Sequence, residues 1–423
     1  MDIRTYLEYL TRPTTLYVIV NIAVSFVGFL RSFAFMRWLG LEDLGLISLA
    51  QTVMQFIGLF QIGLINGGYR MFSLNKVREQ ERVNNLLFTS FGIFLVVFLL
   101  AWGVIAASGN KIIMDNDLLL VAIIGGILTL TNNWLNNTLV GKQKLGEINI
   151  INVIAICASV LSLTLVYFIG FWGAIISIVI HPLCFLTITL IRNKDLRPTG
   201  FLIDKALIKE ILGYGFIPFL SGIFVMLNLQ MERWSIAGFL GNEALGRFYL
   251  VFLFNTLFML IPTSVQSIFF PKAVRSYDEG NMIEFRGVIK RLSVVTIIYD
   301  VAIIIATILL LKPVVSIVFP LHADNVIYVY LFLPGLLAWS LESVTGLVLN
   351  SSLRLKIMLY AGLSGFLTNI IGVFFMKSVD IMSLTSMACL KSLVLIVPFA
   401  ICFIYLLANR KAIAKGYEMK NYK

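Results

Sequence analysis

Three basic side chains, Arg31, Arg233 and Lys391, and two acids, Asp300 and Glu342, stand inside stretches that are otherwise almost wholly apolar. In hydrocarbon each ionisable group costs about 2.5–3.5 kcal/mol on insertion scales, so each calls for a partner or a water-filled space. A guanidinium grips phosphate with two parallel hydrogen bonds, so Arg31 and Arg233 fit the binding of a diphosphate. The competing use is for each arginine to snorkel to the outer headgroups, or to pair with a neighbour such as Glu232. Lys391 is either a third cation of such a site or the counter-ion of a buried acid. Asp300 and Glu342 are candidates for carrying a proton or sodium ion. The alternative is a fixed salt bridge to Lys391 or to an arginine. Glu342 shares a helical face with Thr345, Gly346, Leu349 and Asn350. His181, just before Pro182, reads as a hydrogen-bonded residue at a kink.

Uncharged amides form two further groups. Asn132, Asn133, Asn136 and Asn137 make two i,i+4 pairs on adjoining faces of one helix, and Ser48, Gln51 and Gln55 line one face of another. At this density amides suit sugar hydroxyls or a wet cavity; the other reading is hydrogen bonding between helices, worth about 0.6 kcal/mol per contact in membranes.

The elements that must hold these groups follow from composition. Of the 423 residues 59% are apolar and 13% charged, with a mean hydropathy of +0.93. Such a chain exceeds what a soluble domain can hide from water. Runs of about 20 apolar residues read as membrane helices, and they number twelve, near 15–38, 44–66, 83–107, 117–139, 148–169, 172–191, 214–238, 244–267, 288–311, 326–350, 357–376 and 383–408. Spans five and six are separated only by Gly170-Phe171. With the N-terminus inside, 25 of the 33 Lys and Arg fall on cytoplasmic segments, so both termini are expected to be cytoplasmic. The first residues, MDIRTYLEYLTRPT, lack the apolar core of a signal peptide. The net charge of +11 follows from this bias and from anionic headgroups, and nucleic acid is not expected as a partner. The four cysteines lie inside apolar runs as small packing residues.

The pattern Leu-Gly-x-Glu-x-Leu-Gly occurs twice, at 39–45 and at 240–246, each time just after the first helix of a set of six. The expected fold class is therefore an all-α polytopic membrane protein with twelve transmembrane helices in two parallel six-helix halves around a central cavity. The expected divisions are an N-terminal half at 1–191, a cytoplasmic linker at 192–213, a C-terminal half at 214–409 and a basic cytoplasmic tail at 410–423. Within the linker, 205–213 reads as a short surface helix with Leu207, Ile208, Ile211 and Leu212 toward lipid. No P-loop, Gly-x-Ser-x-Gly or His-Glu-x-x-His motif occurs, and the two histidines supply little catalysis. No enzyme activity, cofactor or metal is expected.

Particular motifs resemble a family. Val27-Gly28-Phe29-Leu30-Arg31, Arg37-Trp38-Leu39-Gly40 and Glu42-Asp43-Leu44-Gly45 resemble the opening of the Wzx-type polysaccharide flippases, which belong to the multidrug/oligosaccharidyl-lipid/polysaccharide exporter superfamily. Gln61-Ile62-Gly63-Leu64 with Arg70 resembles their Asp-Leu-Gly end of helix two, with Gln61 in place of the acid. Pro262, Phe269-Phe270-Pro271-Lys272 and Tyr277 resemble their exit from helix eight.

The resemblance implies a monomeric flippase in the bacterial inner membrane. It would move undecaprenyl-diphosphate-linked oligosaccharide for O-antigen or related surface polysaccharide by alternating access, with H+ or Na+ as a coupling ion. Membrane lipids, polymerases and glycosyltransferases of the same pathway would be its partners. Similar lipid II flippases use arginines of the first helix, which match Arg31 and Arg37 by position. The arginine that relatives carry midway along helix eight is missing from Phe252-Leu253-Phe254-Asn255, a gap that Arg233 or Lys391 would fill. The rival readings are a multidrug or cation antiporter of the same superfamily and a membrane-embedded polysaccharide polymerase or ligase. The second usually carries a large outward loop, and every outward loop here is short.

Overall fold

The structure is a computed structural model that describes residues 13–72, 77–108 and 114–409. The basic tail at 410–423, the first twelve residues and Lys111 lie outside the described residues. The membrane-crossing segments among the described residues are helical, as hydrocarbon demands: a helix satisfies every backbone N–H and C=O internally. The helices are α1 (Pro13–Trp38), α2 (Leu41–Ile57), α3 (Leu64–Phe72), α4 (Val77–Ala107), α5 (Asn116–Gly141), α6 (Leu145–Arg192), α7 (Lys205–Leu240), α8 (Asn242–Asp278), α9 (Met282–Val318), α10 (Val326–Ser351), α11 (Leu355–Ser378) and α12 (Leu384–Ala408). Ten helical stretches among the described residues are long and apolar enough to cross a membrane. One of them, α6, is two spans in series: Ile169 and Gly170 leave helical geometry, and Gly170 has φ +55°. With α7 the count agrees with twelve. The second span breaks differently, passing from α2 through a 3-10 turn at Gly58–Gln61 and a left-handed Ile62 into α3.

The chain forms two compact units, Met1–Leu220 and Ser221–Lys423. The echoed heptapeptide occupies the same structural position in each. Gly40 precedes α2 and Gly241 precedes α8, and each glycine carbonyl accepts a hydrogen bond from the following leucine N–H, Leu44 or Leu245, at 3.1 and 3.2 Å. In both copies that leucine and the glycine after it are buried while the glutamate is exposed, placing its charge at the positive end of the helix. The sequence repeat is thus a repeat of structure.

In the N-terminal unit the core gathers Leu64, Leu86, Leu87, Trp134, Leu135, Ile148, Ile151 and Phe185, from α3, α4, α5 and α6. Leu207 and Ile211 belong to it as well, with Ile208 and Leu212 packed against it. The surface helix read from 205–213 is therefore corrected: these residues are the first turns of α7, and their apolar face meets protein. Small residues permit it. A Cβ on Gly67 would strike the Ile211 carbonyl, and Gly63, at φ +95°, lies with its backbone against that of Gly215.

The linker before α7 is pinned to α4. Asn84 donates to the Leu196 carbonyl at 2.9 Å and accepts from Trp134 Nε1 at 3.0 Å. Asn85 and Thr199 exchange two hydrogen bonds, Thr199 also donates to Glu81, and Leu202 N–H donates to Thr89. Asp204 caps α7 by accepting from the N–H groups of Ala206 and Leu207, and it pairs with Arg82 at 2.6 Å. Those N–H groups, then Arg82, hold its carboxyl below the usual range. At Asp195 partial burial opposes the charge, but Lys142 and Lys144 outweigh it and lower the pKa.

In the C-terminal unit α10 packs on α12 with Gly335 against Ser392, and α11 packs on α12 with Gly365 and Gly372 against Pro398 and Leu390. A second cluster, Ala273, Tyr277, Phe285, Val288, Leu292 and Leu347, ties α8, α9 and α10 together.

Two expectations follow. Gly67→Ala overpacks the α3–α7 crossing and is expected to cost about 1–3 kcal/mol, read as a lower Tm in detergent, while Gly92→Ala, with nothing within 4 Å of the added carbon, leaves Tm unchanged. Because Asp195 and Asp204 have lowered folded pKa values, their contribution is complete above the unfolded value of about 3.9 and is lost as the pH falls through the folded values. Protease cleavage at 193–204 is expected to stay slow from neutral pH down to about 4 and to accelerate below it.

Candidate functional site

In the N-terminal unit Arg31 lies half-buried on α1, where its guanidinium donates to the Ser177 carbonyl of α6 at 3.4 Å. His181, one turn further along α6, is half-buried within electrostatic range of that guanidinium. Its Nε2 is buried without a hydrogen bond among the described residues. Pro182 lies inside α6 with no departure from helical φ/ψ around it, whereas Ile169 and Gly170 leave helical geometry, at the break expected between spans five and six. Arg37 is exposed at the end of α1, beside Trp38, whose ring meets Tyr167 edge-on at 5.8 Å. Tyr167, Phe168, Phe171 and Trp172 surround the bend of α6, forming an aromatic rim of the kind found at membrane–water boundaries.

The amide residues lie on faces that the N-terminal core leaves bare. On α5 the buried positions include Leu130, Thr131, Trp134, Leu135, Thr138 and Leu139. Asn132, Asn136 and Asn137 are half-buried and Asn133 is exposed on the remaining arc. On α2 Gln51 is half-buried and Gln55 exposed, on the face that also carries the buried Ser48 and Thr52. None of these six amide side chains hydrogen-bonds another described residue. Within this unit the interhelical-glue reading therefore has no bond among the described residues to rest on.

In the C-terminal unit two of the predicted cations are held by protein. Lys391 on α12 forms an ion pair with Glu232 on α7, both nearly inaccessible at 4% and 3% exposure. The ammonium also lies 5.0 Å from the Phe332 ring and 5.7 Å from that of Phe252. Arg233 stacks on Phe252 at 4.3 Å. Ring faces carry partial negative charge, so the two aromatics supply part of what water would. Of the readings open for Lys391, its place here is that of a counter-ion, to Glu232 and not to Glu342.

The two acids are consequently without a basic partner among the described residues. Asp300 on α9 is completely buried, and neither carboxylate oxygen has a hydrogen bond; Ser340 is near, but short of bonding geometry. The Thr296 hydroxyl, one turn away, is also buried and unbonded. Glu342 on α10 lines a cavity of about 30 Å³ with Asn228, Trp339, Gly362, Val394 and Pro398. At about 10–15 Å³ each, two waters would fit. Asn228 donates to the Gly362 carbonyl at 3.2 Å, which leaves its Oδ1 buried and unbonded. Pro398 has no N–H to give the Val394 carbonyl four residues earlier. Glu342 and Asn228, with its unbonded amide oxygen, thus line one small cavity together with Val394 and Pro398. Sequence reading passed over Asn228 and Val394; the Pro398 in span twelve was the available signal.

The resemblances to solved structures agree with this architecture. No family model matches the sequence and no curated protein does. A multidrug resistance MATE family transporter of the MOP superfamily, in an inward-facing conformation, superposes with a TM-score of 0.70 at 14% identity, covering 95% of this chain and 94% of that one. The outward-facing conformation of a MATE family transporter of that superfamily gives 0.62 at 17% identity, with 95% and 96% covered. A eukaryotic MATE transporter, AtDTX14, gives 0.63 at 16% identity over 97% and 98%. At such identities the likeness is one of fold: this chain folds as MATE family transporters do.

Proposed function

We propose that the protein is a flippase that carries undecaprenyl-diphosphate-linked oligosaccharide from the inner to the outer leaflet by alternating access. The observation that carries the reading is the chemistry of the N-terminal unit. It holds an intramembrane guanidinium, Arg31, and a set of amides on α2 and α5 that no described protein group bonds. Guanidinium suits the diphosphate and the amides suit sugar hydroxyls, while the lipid tail remains in the bilayer. Arg37, at the exposed end of the same helix, would attract the headgroup. Arg233 and Lys391 would contribute mainly positive potential, since both are engaged with aromatic rings and Lys391 with Glu232. An inside-negative membrane potential favours outward movement of the anionic headgroup, by about 2.3 kcal/mol per charge per 100 mV.

A specific observation favours a second reading, a cation-coupled multidrug antiporter of the same superfamily. Asp300 and Glu342 have no basic partner among the described residues, and buried acids of that kind suit a cationic substrate. In the flippase reading the same acids carry the coupling ion, H+ or Na+. Glu342, Asn228 Oδ1 and the Val394 carbonyl would receive it.

Arg31→Ala is expected to reduce surface glycan export at least tenfold at equal protein level, in line with about 1.5–3 kcal/mol for a hydrogen bond to a charged group; Arg31→Lys recovers part of it. Full export by the alanine variant refutes the diphosphate role, and efflux of cationic drugs that survives in its place selects the antiporter. In proteoliposomes, transport by the native chain is expected to accelerate under an H+ or Na+ gradient, and Glu342→Gln is expected to abolish that acceleration. Unchanged gradient dependence in both Glu342→Gln and Asp300→Asn removes the acids from coupling.

A further inference from the structure

We propose that the N-terminal unit holds one acyl chain of an anionic inner-leaflet phospholipid in a groove between α4 and the linker that precedes α7. The groove has a volume of about 610 Å³ and is lined by Phe88, Gly92, Ile93 and Val97 of α4 and by Pro198 and Phe201 of the linker. One of its ends lies in hydrocarbon. In the apolar window of α4 only 6% of residues are buried in the protein, and Val96, Val97, Leu100 and Val104 continue the groove wall as an exposed apolar strip. The other end lies among polar groups. Thr89 and Thr199 there are already committed to the bonds that fix the linker, so they ask nothing of an occupant.

An apolar groove that starts at a polar rim and runs into hydrocarbon has the amphipathic profile of a lipid. A soluble partner would find its floor at membrane depth, and a water-filled groove would leave apolar walls wet at a cost of roughly 25 cal/mol per Å². The charge at the rim selects the headgroup. Arg82, on the α4 face that leads through Thr89 to Gly92 and Val96, keeps its side chain 58% exposed although it touches Asp204. Lys205 and Lys209 are exposed just beyond, as are Lys194 and Arg197 in the linker. These five basic side chains outnumber the four acids of the same rim, Glu81, Asp195, Asp204 and Glu210. Such a juxtamembrane excess attracts anionic headgroups by about 1 kcal/mol per basic residue. Phe201, exposed at the rim, would lie over the seated chain. Through it the occupant bears on the linker itself, the covalent connection from α6 to α7.

Gly92 makes the test clean, because a Cβ built there meets no atom within 4 Å. Gly92→Trp places an indole in the groove from a position whose added Cβ meets no protein atom. The full-length protein, delipidated in mild detergent, is titrated with phosphatidylglycerol and separately with phosphatidylethanolamine, and bound lipid is counted by native mass spectrometry. The native chain is expected to retain one phosphatidylglycerol at least tenfold more tightly than Gly92→Trp, whose lipid-free Tm stays unchanged. A second variant, Arg82→Ala with Lys205→Ala, is expected to lose the preference for phosphatidylglycerol over phosphatidylethanolamine while still retaining lipid. Equal retention by the native chain and Gly92→Trp overturns the site, and so does capture of a polyprenyl phosphate in preference to either phospholipid. If Gly92→Trp lowers Tm, Val97→Trp on the opposite part of the wall decides the same question.

Discussion

Hydrocarbon offers no water to a buried charge, and the C-terminal unit is organised around that constraint. Glu232 and Lys391 are each nearly inaccessible and each is intolerable without the other. An isolated charge in such a place costs several kcal/mol, and removal of one partner from a buried pair typically costs about 3–5 kcal/mol. Phe252 and Phe332 extend the neutralisation by turning their ring faces toward the cations. The pair joins the first helix of the unit to its last, α7 to α12, so the charge balance is also a packing restraint. It consumes the lysine that would otherwise neutralise Glu342 or Asp300, and that is why those two acids stand out.

The N-terminal unit meets the same constraint with different chemistry. Its first helix also meets its last span through a polar group, Arg31 of α1 donating to the Ser177 carbonyl of α6. By the repeat offset the residue equivalent to Arg31 is Glu232. Positions matched by the sequence repeat thus carry a cation in one copy and an anion in the other. The anion found a lysine within its own unit. The arginine donates to a backbone carbonyl within its own unit.

Much of the fold was legible because it depends on local quantities. Runs of apolar length fix the spans, and the heptapeptide at 39–45 and 240–246 marks the repeat, whose two copies have matching burial and matching hydrogen bonds. The linker was less legible. Leu207, Ile208, Ile211 and Leu212 have the spacing of a lipid-facing helix, and period alone cannot distinguish lipid from a protein core of equal apolarity. What decides between them is Gly63, Gly67 and Gly215, small enough to let α7 approach α3 backbone to backbone. The break between the two spans of α6 was legible at Gly170, which takes the positive φ cheaply.

By itself, then, the sequence determined that this protein lives in a membrane, crosses it twelve times, repeats itself once, and carries a small set of charges and amides at membrane depth. Those are consequences of transfer free energy and periodicity, which act residue by residue. Only the tertiary structure decided which charges cancel. That Lys391 chooses Glu232, that Asn228 and Val394 join Glu342 at one cavity, and that the amides of α5 face away from their own core all depend on which helices meet. Ion pairing falls off within a few ångströms, and distances of that order between residues 159 positions apart are set by packing alone.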